Sequence, residues 1–292
     1  MTIHPQRNLR RIVQLIGVVA LSASCSSHPS APAAPGATPP AAATTREVVF
    51  PSGGLDLHGY LWEPPGRGPY PVVLYNHGSE KLPGSKPTLG AFFTAQGFAF
   101  FVPHRRGQGL SPGQYISDLV AQSPPAQQNQ VVVDQLVAQV EDVAAALTYL
   151  LTLPEIDRSR VVVAGCSYGG IETVLASERD LTVRASVDFA GAAESWGNPI
   201  LRTRLTDAVD RARVPIFFLQ AMNDYNTAPS LALSGEMARV GKPYQVKIYP
   251  PYGTTVEDGH GGFCTNAPDV WGADVLAFLR TYIPAQIPGS KF

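Results

Sequence analysis

From Arg46 onward, short apolar runs alternate with longer stretches whose apolar residues recur at helical spacing. Arg46–Pro51 and Leu57–Glu63 are β-prone and are separated by Ser52-Gly53-Gly54, so they predict an antiparallel hairpin. Further short runs follow at Pro71–Asn76, Phe98–Pro103, Arg160–Ala164, Ala185–Phe189, Val214–Gln220 and Gln245–Tyr249. They carry few polar residues, the pattern of strands buried on both faces of a parallel sheet. Val131–Leu151 is the clearest helix, with Pro154 just beyond its end. Thr88–Gln96, Gly169–Ser177, Pro199–Arg211, Pro229–Val240 and Asp269–Tyr282 also read as helices. The alternation predicts an α/β fold: a mostly parallel, doubly wound sheet with an N-terminal antiparallel hairpin and helices on both faces. No internal repeat is visible, and no insertion is long enough for a separate cap domain. The Pro- and Gln-rich stretch Ser111–Gln130 is the one candidate lid, with plain loop as the other reading.

The chain before Arg46 follows a different pattern. Arg7, Arg10 and Arg11 precede the apolar run Ile12–Leu21, followed by Ser22, Ala23, Ser24 and Cys25. A charged segment, a short apolar segment and small residues are the parts of an export signal, so residues 1–24 are read as a signal peptide. The apolar run is shorter than the roughly 20 residues that span a bilayer. The small residues before Cys25 resemble a bacterial lipobox, which implies that Cys25 becomes the lipidated first residue of an anchored protein. Plain secretion is the alternative, and Arg10-Arg11 leaves the export route open between the general and the twin-arginine pathways. Residues 25–45 are Ala/Pro/Ser/Thr-rich and cannot bury a core, so they are read as a solvated tether. Residues 46–292 are then the catalytic domain, and the expected location is exported.

Composition narrows the chemistry. Of 292 residues 45% are hydrophobic and 15% charged, an ordinary globular interior, and the formal net charge of −1 gives no electrostatic case for nucleic acid. The three cysteines, Cys25, Cys166 and Cys264, are too few for a disulfide-dense scaffold. No pair of cysteines or histidines has zinc-ligand spacing, and no cofactor is implied.

Gly165-Cys166-Ser167-Tyr168-Gly169-Gly170 fits G-x-S-x-G, with the β-branched run Val161–Val163 before it and a helical segment after it. A nucleophilic serine needs this strand–turn–helix setting: the turn is sharp, and glycines on either side permit close packing. A register with Cys166 as nucleophile would put bulky Tyr168 where a small residue is required. Cys166 is therefore read as a small buried residue.

The segments Asn76–Ser79 (NHGS), Pro103–Gly113 (PHRRGQGLSPG), Gly165–Gly170 and those around Asp224 and His260 make the chain from about Arg46 resemble the dienelactone-hydrolase-like and prolyl-oligopeptidase-like branches of the α/β-hydrolase superfamily. The resemblance implies the α/β-hydrolase fold and a triad in the order Ser, acid, His. It assigns Ser167 as nucleophile, Asp224 as the orienting acid and His260, in the Gly-rich loop Asp258–Gly262, as general base. Asp188 is the fallback acid. The oxyanion hole is assigned to the backbone N–H groups of Tyr168 and Ser79, with Glu80 as an alternative to Ser79. His77 and the arginines of Pro103–Gly109 are read as loop braces, Tyr168 as a candidate to line the pocket, and Trp196 as either a pocket-lining or a core residue. Dienelactone hydrolases have cysteine at the elbow tip where this chain has Ser167, so their specific reaction is not carried over. If the triad forms, it brings Cys166 near Cys264. A disulfide is then conceivable, but its restrictive geometry weighs against it.

The function expected from these residues is hydrolysis of a small-molecule carboxylic ester through an acyl-enzyme. Membrane contact is expected only through Cys25. A prolyl-oligopeptidase-like peptidase and an inactive surface binding protein are the alternatives.

Overall fold

The computed structural model describes residues 42–283. A hairpin comes first in the chain, followed by strands alternating with helices. The strands are β1 (Thr44–Ser52), β2 (Leu55–Glu63), β3 (Tyr70–Asn76), β4 (Ala99–Pro103), β5 (Ile156–Cys166), β6 (Ala185–Phe189), β7 (Ile216–Ala221) and β8 (Tyr244–Tyr249). They form one sheet in the order β1-β2-β4-β3-β5-β6-β7-β8. β1 and β2 pair antiparallel, and β2 joins β4 antiparallel. From β4 to β8 every pairing is parallel. The helices are α1 (Pro87–Ala95), α2 (Ile116–Gln122), α3 (Gln128–Leu150), α4 (Tyr168–Ser177), α5 (Pro199–Arg211), α6 (Ala228–Arg239), α7 (Phe263–Asn266) and α8 (Pro268–Tyr282).

Side-chain alternation along the central strands builds two cores. On β3, Val72 and Leu74 face one layer while Val73 and Tyr75 face the other. On β5, Val161 and Val163 face the first layer, and Val162, Ala164 and Cys166 face the second. The first layer is covered by α3, α4, α5 and α6 through residues such as Leu136, Val174, Leu205 and Met237. The second is covered by α1 and α8 through Phe93, Trp271 and Val275. Burial on both faces is why these strands carry so few polar residues. Each fully buried Val, Leu or Phe contributes roughly 1.5–3 kcal/mol.

The expected elements differ from these mainly at their ends. β1 begins at Thr44, two residues inside the stretch read as tether, because its register with β2 runs on to Thr44 opposite Glu63. The candidate lid Ser111–Gln130 contains α2 and the first turn of α3. Ile116 of α2 is buried in the first core, and Tyr115 Oη donates to the Ser79 carbonyl at 2.6 Å, so the segment packs onto the domain. The export signal and Cys25 lie outside the described residues.

Candidate active site

The carboxyl ends of the parallel strands converge on one side of the sheet, where α/β folds place their ligands. Ser167 follows β5 directly and Asp224 lies just beyond β7. His260 follows β8 in a wide π-helical turn, Asp258–Gly262. The sequence had suggested an irregular Gly-rich loop there. Wide turns of this kind often mark functional positions.

Ser167 sits in strained backbone, at φ 56° and ψ −118°, between strand and helix. Such a conformation costs about 1–3 kcal/mol in a non-glycine residue and persists only where its surroundings enforce it. A Cβ at Gly165 would lie 2.2 Å from the Gly169 carbonyl oxygen, and one at Gly169 would lie 2.0 Å from that of Asn76. The close approach of β3, β5 and α4 therefore admits glycine alone at both places. The Ser167 N–H donates to Phe189 O at 2.9 Å, which ties the turn to β6.

His260 Nδ1 lies 2.8 Å from Asp224 Oδ1. Both residues are buried. Asp224 Oδ1 also accepts from the Tyr225 N–H at 2.6 Å, and Oδ2 accepts from Gln220 Nε2 at 3.0 Å. Gln220 is held in turn by Ser230 Oγ, which donates to its Oε1 at 2.8 Å. A second support acts through the backbone: Asn223 Nδ2 donates to the carbonyls of Tyr252 and Thr255, fastening the β7 end to the segment before His260. A Cβ at Gly259 would lie 2.6 Å from Asn223, so glycine there lets the histidine turn approach.

His260 Nε2 has no hydrogen-bond partner among the described residues, and it shares a cavity of about 490 Å³ with Ser167. No hydrogen bond joins Ser167 Oγ to His260 Nε2; in unliganded sites such contacts are often long and tighten on substrate binding. Glu194, on the loop after β6, places Oε2 3.9 Å from the same nitrogen.

Ser79 and Tyr168 flank Ser167 around a second cavity of about 80 Å³. Arg105 anchors the segment leading to Ser79. Its Nη1 donates to the His77 carbonyl at 2.7 Å and to Glu172 Oε2 at 2.6 Å, while Nη2 donates to the Gly78 carbonyl. The carbonyl and N–H of a trans peptide point in opposite directions. Holding the Gly78 carbonyl therefore directs the Ser79 N–H away from Arg105. The bracing role read for the Pro103–Gly109 arginines is visible here, and Arg106 pairs with Asp142 at 2.6 Å.

His77 is fully buried beside this guanidinium. Burial, reinforced by the charge of Arg105, holds its pKa well below the usual histidine range. His77 Nδ1 lies 3.0 Å from Arg105 Nη2 and 2.9 Å from the Gly78 carbonyl, which places the ring in the same bracing network. Burial pushes the Glu172 carboxyl up to about 7, with Arg105 pulling it back. Asp188, the fallback acid, lies inside β6 away from His260. Its Oδ1 accepts from the Gly191 N–H at 2.8 Å, and burial pushes its pKa up to about 7.

One expectation needs correction. Cys166 is disulfide-bonded to Cys264 rather than free, with Cα atoms 5.9 Å apart. The positions of Ser167 and His260 bring the flanking segments within bonding range, and that proximity overcomes the geometric restriction. Trp196, open between pocket and core in the sequence, packs against the first core and lines neither cavity around Ser167. Tyr168 borders the smaller cavity, while its hydroxyl turns inward and donates to Gln139 Oε1 at 2.8 Å. The sequence reading missed Gln220, Asn223 and Glu194. Gln220 alone left a signal, as a polar residue ending an apolar central strand.

The sheet order and the elbow define the class: a hydrolase of the α/β-hydrolase fold. The chain belongs to the dienelactone hydrolase family, whose profile matches residues 57–279. It is 27% identical over 256 residues to the quorum-quenching protein AidA of Acinetobacter baumannii, covering 82% of this chain and 72% of that protein. It is 25% identical over 206 residues to the polyketide transferase grgF of a Penicillium species, covering 67% of this chain and 65% of the relative, so it spans a little under two thirds of that length. The acylaminoacyl peptidase of Pyrococcus horikoshii superimposes with a TM-score of 0.64 at 16% identity, covering 86% of this chain but only 44% of the peptidase. That likeness is one of fold.

Proposed function

We propose that this hydrolase is a serine esterase that cleaves carboxylic esters through an acyl-enzyme on Ser167. The observation that carries the reading is the buried His260–Asp224 pair at 2.8 Å, whose free Nε2 opens into the cavity that holds the strained Ser167. Asp224 fixes the tautomer with the proton on Nδ1 and stabilises the imidazolium once it forms. His260 Nε2 takes the proton from Ser167 Oγ as the oxygen attacks the acyl carbon. The oxyanion of the tetrahedral intermediate is held by the N–H groups of Tyr168 and Ser79. Collapse expels the alcohol, which receives the proton from His260. Water, deprotonated by the same nitrogen, then releases the carboxylic acid and restores Ser167.

The test is turnover of p-nitrophenyl acetate by wild type and Ser167→Ala. Loss of activity and of fluorophosphonate labelling in a folded variant is expected. A folded variant that retains turnover overturns the assignment, and turnover of a chromogenic peptide in place of the ester would make the enzyme a peptidase.

Export and lipidation at Cys25 belong to the same reading. A disulfide beside the nucleophile suits an oxidising compartment outside the cytoplasm, which supports the export part of that reading.

A further inference from the structure

Glu194 lines both cavities at Ser167, and among the described residues it is the one charged side chain of the smaller. Resting on the esterase reading, we infer that Glu194 selects substrates by charge. It favours esters whose alcohol carries a cationic group close to the ester oxygen, such as esters of amino alcohols, and it opposes anionic ones.

The carboxylate has no cation of its own. Among the described residues no Lys or Arg pairs with it, and its one basic neighbour is His260, whose Nε2 lies 3.9 Å from Oε2. That imidazole is uncharged when it acts as the base, so it brings Glu194 no counter-charge when substrate binds. The larger cavity holds one lysine, Lys86, and Glu80 Oε1 already pairs with it at 2.5 Å. A second carboxylate stands behind the first. Glu257 accepts from Tyr225 Oη at 3.3 Å, and no Lys or Arg among the described residues pairs with it either. The Tyr225 ring packs edge-on against that of His260, with centroids 5.2 Å apart. Burial, and after it the charges of Glu194 and Glu257, raise the Tyr225 phenol above its ordinary range, so both carboxylates act on the same group. Two like charges set around one phenol without a counter-ion make the mouth of the site attractive to cations.

The loop that carries Glu194 is held in place. Ala190 and Ala192 adopt left-handed backbone, φ 58° and 64°, where an alanine is rare. Asp188 Oδ1 accepts from the Gly191 N–H at 2.8 Å, and the N–H groups of Ala193 and Ser195 donate to the carbonyls of Ala190 and Ala192. Independently of these charges, Tyr75 leaves a polar atom for a ligand in the same space. It lines the larger cavity and is only 1% exposed, and its hydroxyl has no hydrogen-bond partner among the described residues.

The proton transfer puts the cation on the alcohol. The departing alkoxide takes its proton from His260 Nε2, so the ester oxygen must pass beside that nitrogen. Glu194 Oε2 is 3.9 Å from the same atom, so a cation a short way along the alcohol comes within reach of the carboxylate. An anion there meets an unpaired like charge. The Glu194 side chain is 48% exposed, so water and salt screen it and the discrimination is about three- to tenfold.

The experiment follows acetic acid release by the full-length enzyme from acetylcholine and from 3,3-dimethylbutyl acetate, which has the same shape without the charge. At low ionic strength kcat/KM for acetylcholine is expected to be about three- to tenfold the higher, with the ratio shrinking as salt is added. Glu194→Gln should bring the ratio close to one, and Glu194→Lys should favour the anionic 2-sulfoethyl acetate over acetylcholine. Each ratio is taken within one preparation, so partial unfolding of a variant does not move it. The wild-type ratio and its salt dependence test the inference without any variant. Wild-type preference for the uncharged ester, or a ratio that Glu194→Gln leaves intact, overturns this inference and leaves the esterase reading standing. Labelling of Ser167 by a fluorophosphonate without turnover of either ester overturns it too. Absence of both turnover and labelling overturns the esterase reading, and this inference with it.

Discussion

Cys166, the residue before Ser167, is joined by a disulfide to Cys264, four residues beyond His260. The bond therefore links the turn that carries the nucleophile to the helix that follows the base. In sequence the two cysteines are 98 residues apart, and the loop they close contains β6, β7 and β8.

Closing a loop of that length removes much chain entropy from the unfolded state, and losing such a bond costs about 2–5 kcal/mol. Cys264→Ala is expected to lower Tm by roughly 5–15 °C in a domain of this size. Turnover should fall as well, because the segment bearing His260 loses its tie to the elbow. Differential scanning calorimetry with and without dithiothreitol checks this: the reductant should lower the Tm of wild type and leave Cys264→Ala unmoved. Equal Tm values for the oxidised and reduced wild type would contradict it.

Arg105 acts on the oxyanion side through peptide planes. Its guanidinium holds the carbonyls of His77 and Gly78, and among the described residues no other side chain donates to both. Arg105→Lys keeps the charge opposite Glu172 but loses the fork. A lost oxyanion donor costs about 10²–10³ in kcat, and a misdirected one should cost a sizeable part of that. The expected result is a kcat reduced about 10–100-fold with KM changed little. A purely structural role would lower Tm and leave kcat per folded molecule intact, so both are measured.

Asp188 makes stability depend on pH. Burial raises its carboxyl from an ordinary value of 3.8 to about 7. Between those values the native state holds a proton that the unfolded state has released. The contribution is therefore fully present below about pH 4 and is lost as pH rises through about 7. Its size is on the order of 4 kcal/mol at most. Asp188→Asn keeps an acceptor for the Gly191 N–H and cannot ionise. The Tm of the variant should gain on wild type from pH 5 to about pH 7 and level off above it, and parallel profiles would show that Asp188 does not titrate in this range. Glu172, raised to about 7 as well, leaves a residual slope in both proteins.

On the proposed lipidation, Cys25 is the membrane anchor. Cys25→Ser, expressed in a bacterium that processes lipoproteins, should move the protein from the membrane fraction to the soluble exported fraction. Wild-type protein found in the soluble fraction to the same extent would remove lipidation from the account.

The alternation of apolar runs by itself determined the layered α/β fold, because strands buried on both faces must be nearly free of polar residues. The glycines around Ser167 marked the elbow for a similarly local reason, since a sharp turn tolerates little else, while Asp224 and His260 were assigned through the resemblance to the α/β-hydrolase superfamily. Other features depended on which segments become neighbours. Asn223 against the His260 turn and Glu194 beside Nε2 lie at sequence positions with no local signature of a role, and Gln220 beneath Asp224 showed only as a polar residue ending an apolar run. The partnership of Cys166 with Cys264 was open in the sequence, since two cysteines 98 residues apart bond only where strands β5 to β8 align their carboxyl ends. Tertiary structure alone decided the two unequal cavities at Ser167, because a cavity is set by packing distances between elements and not by the residues of any one of them.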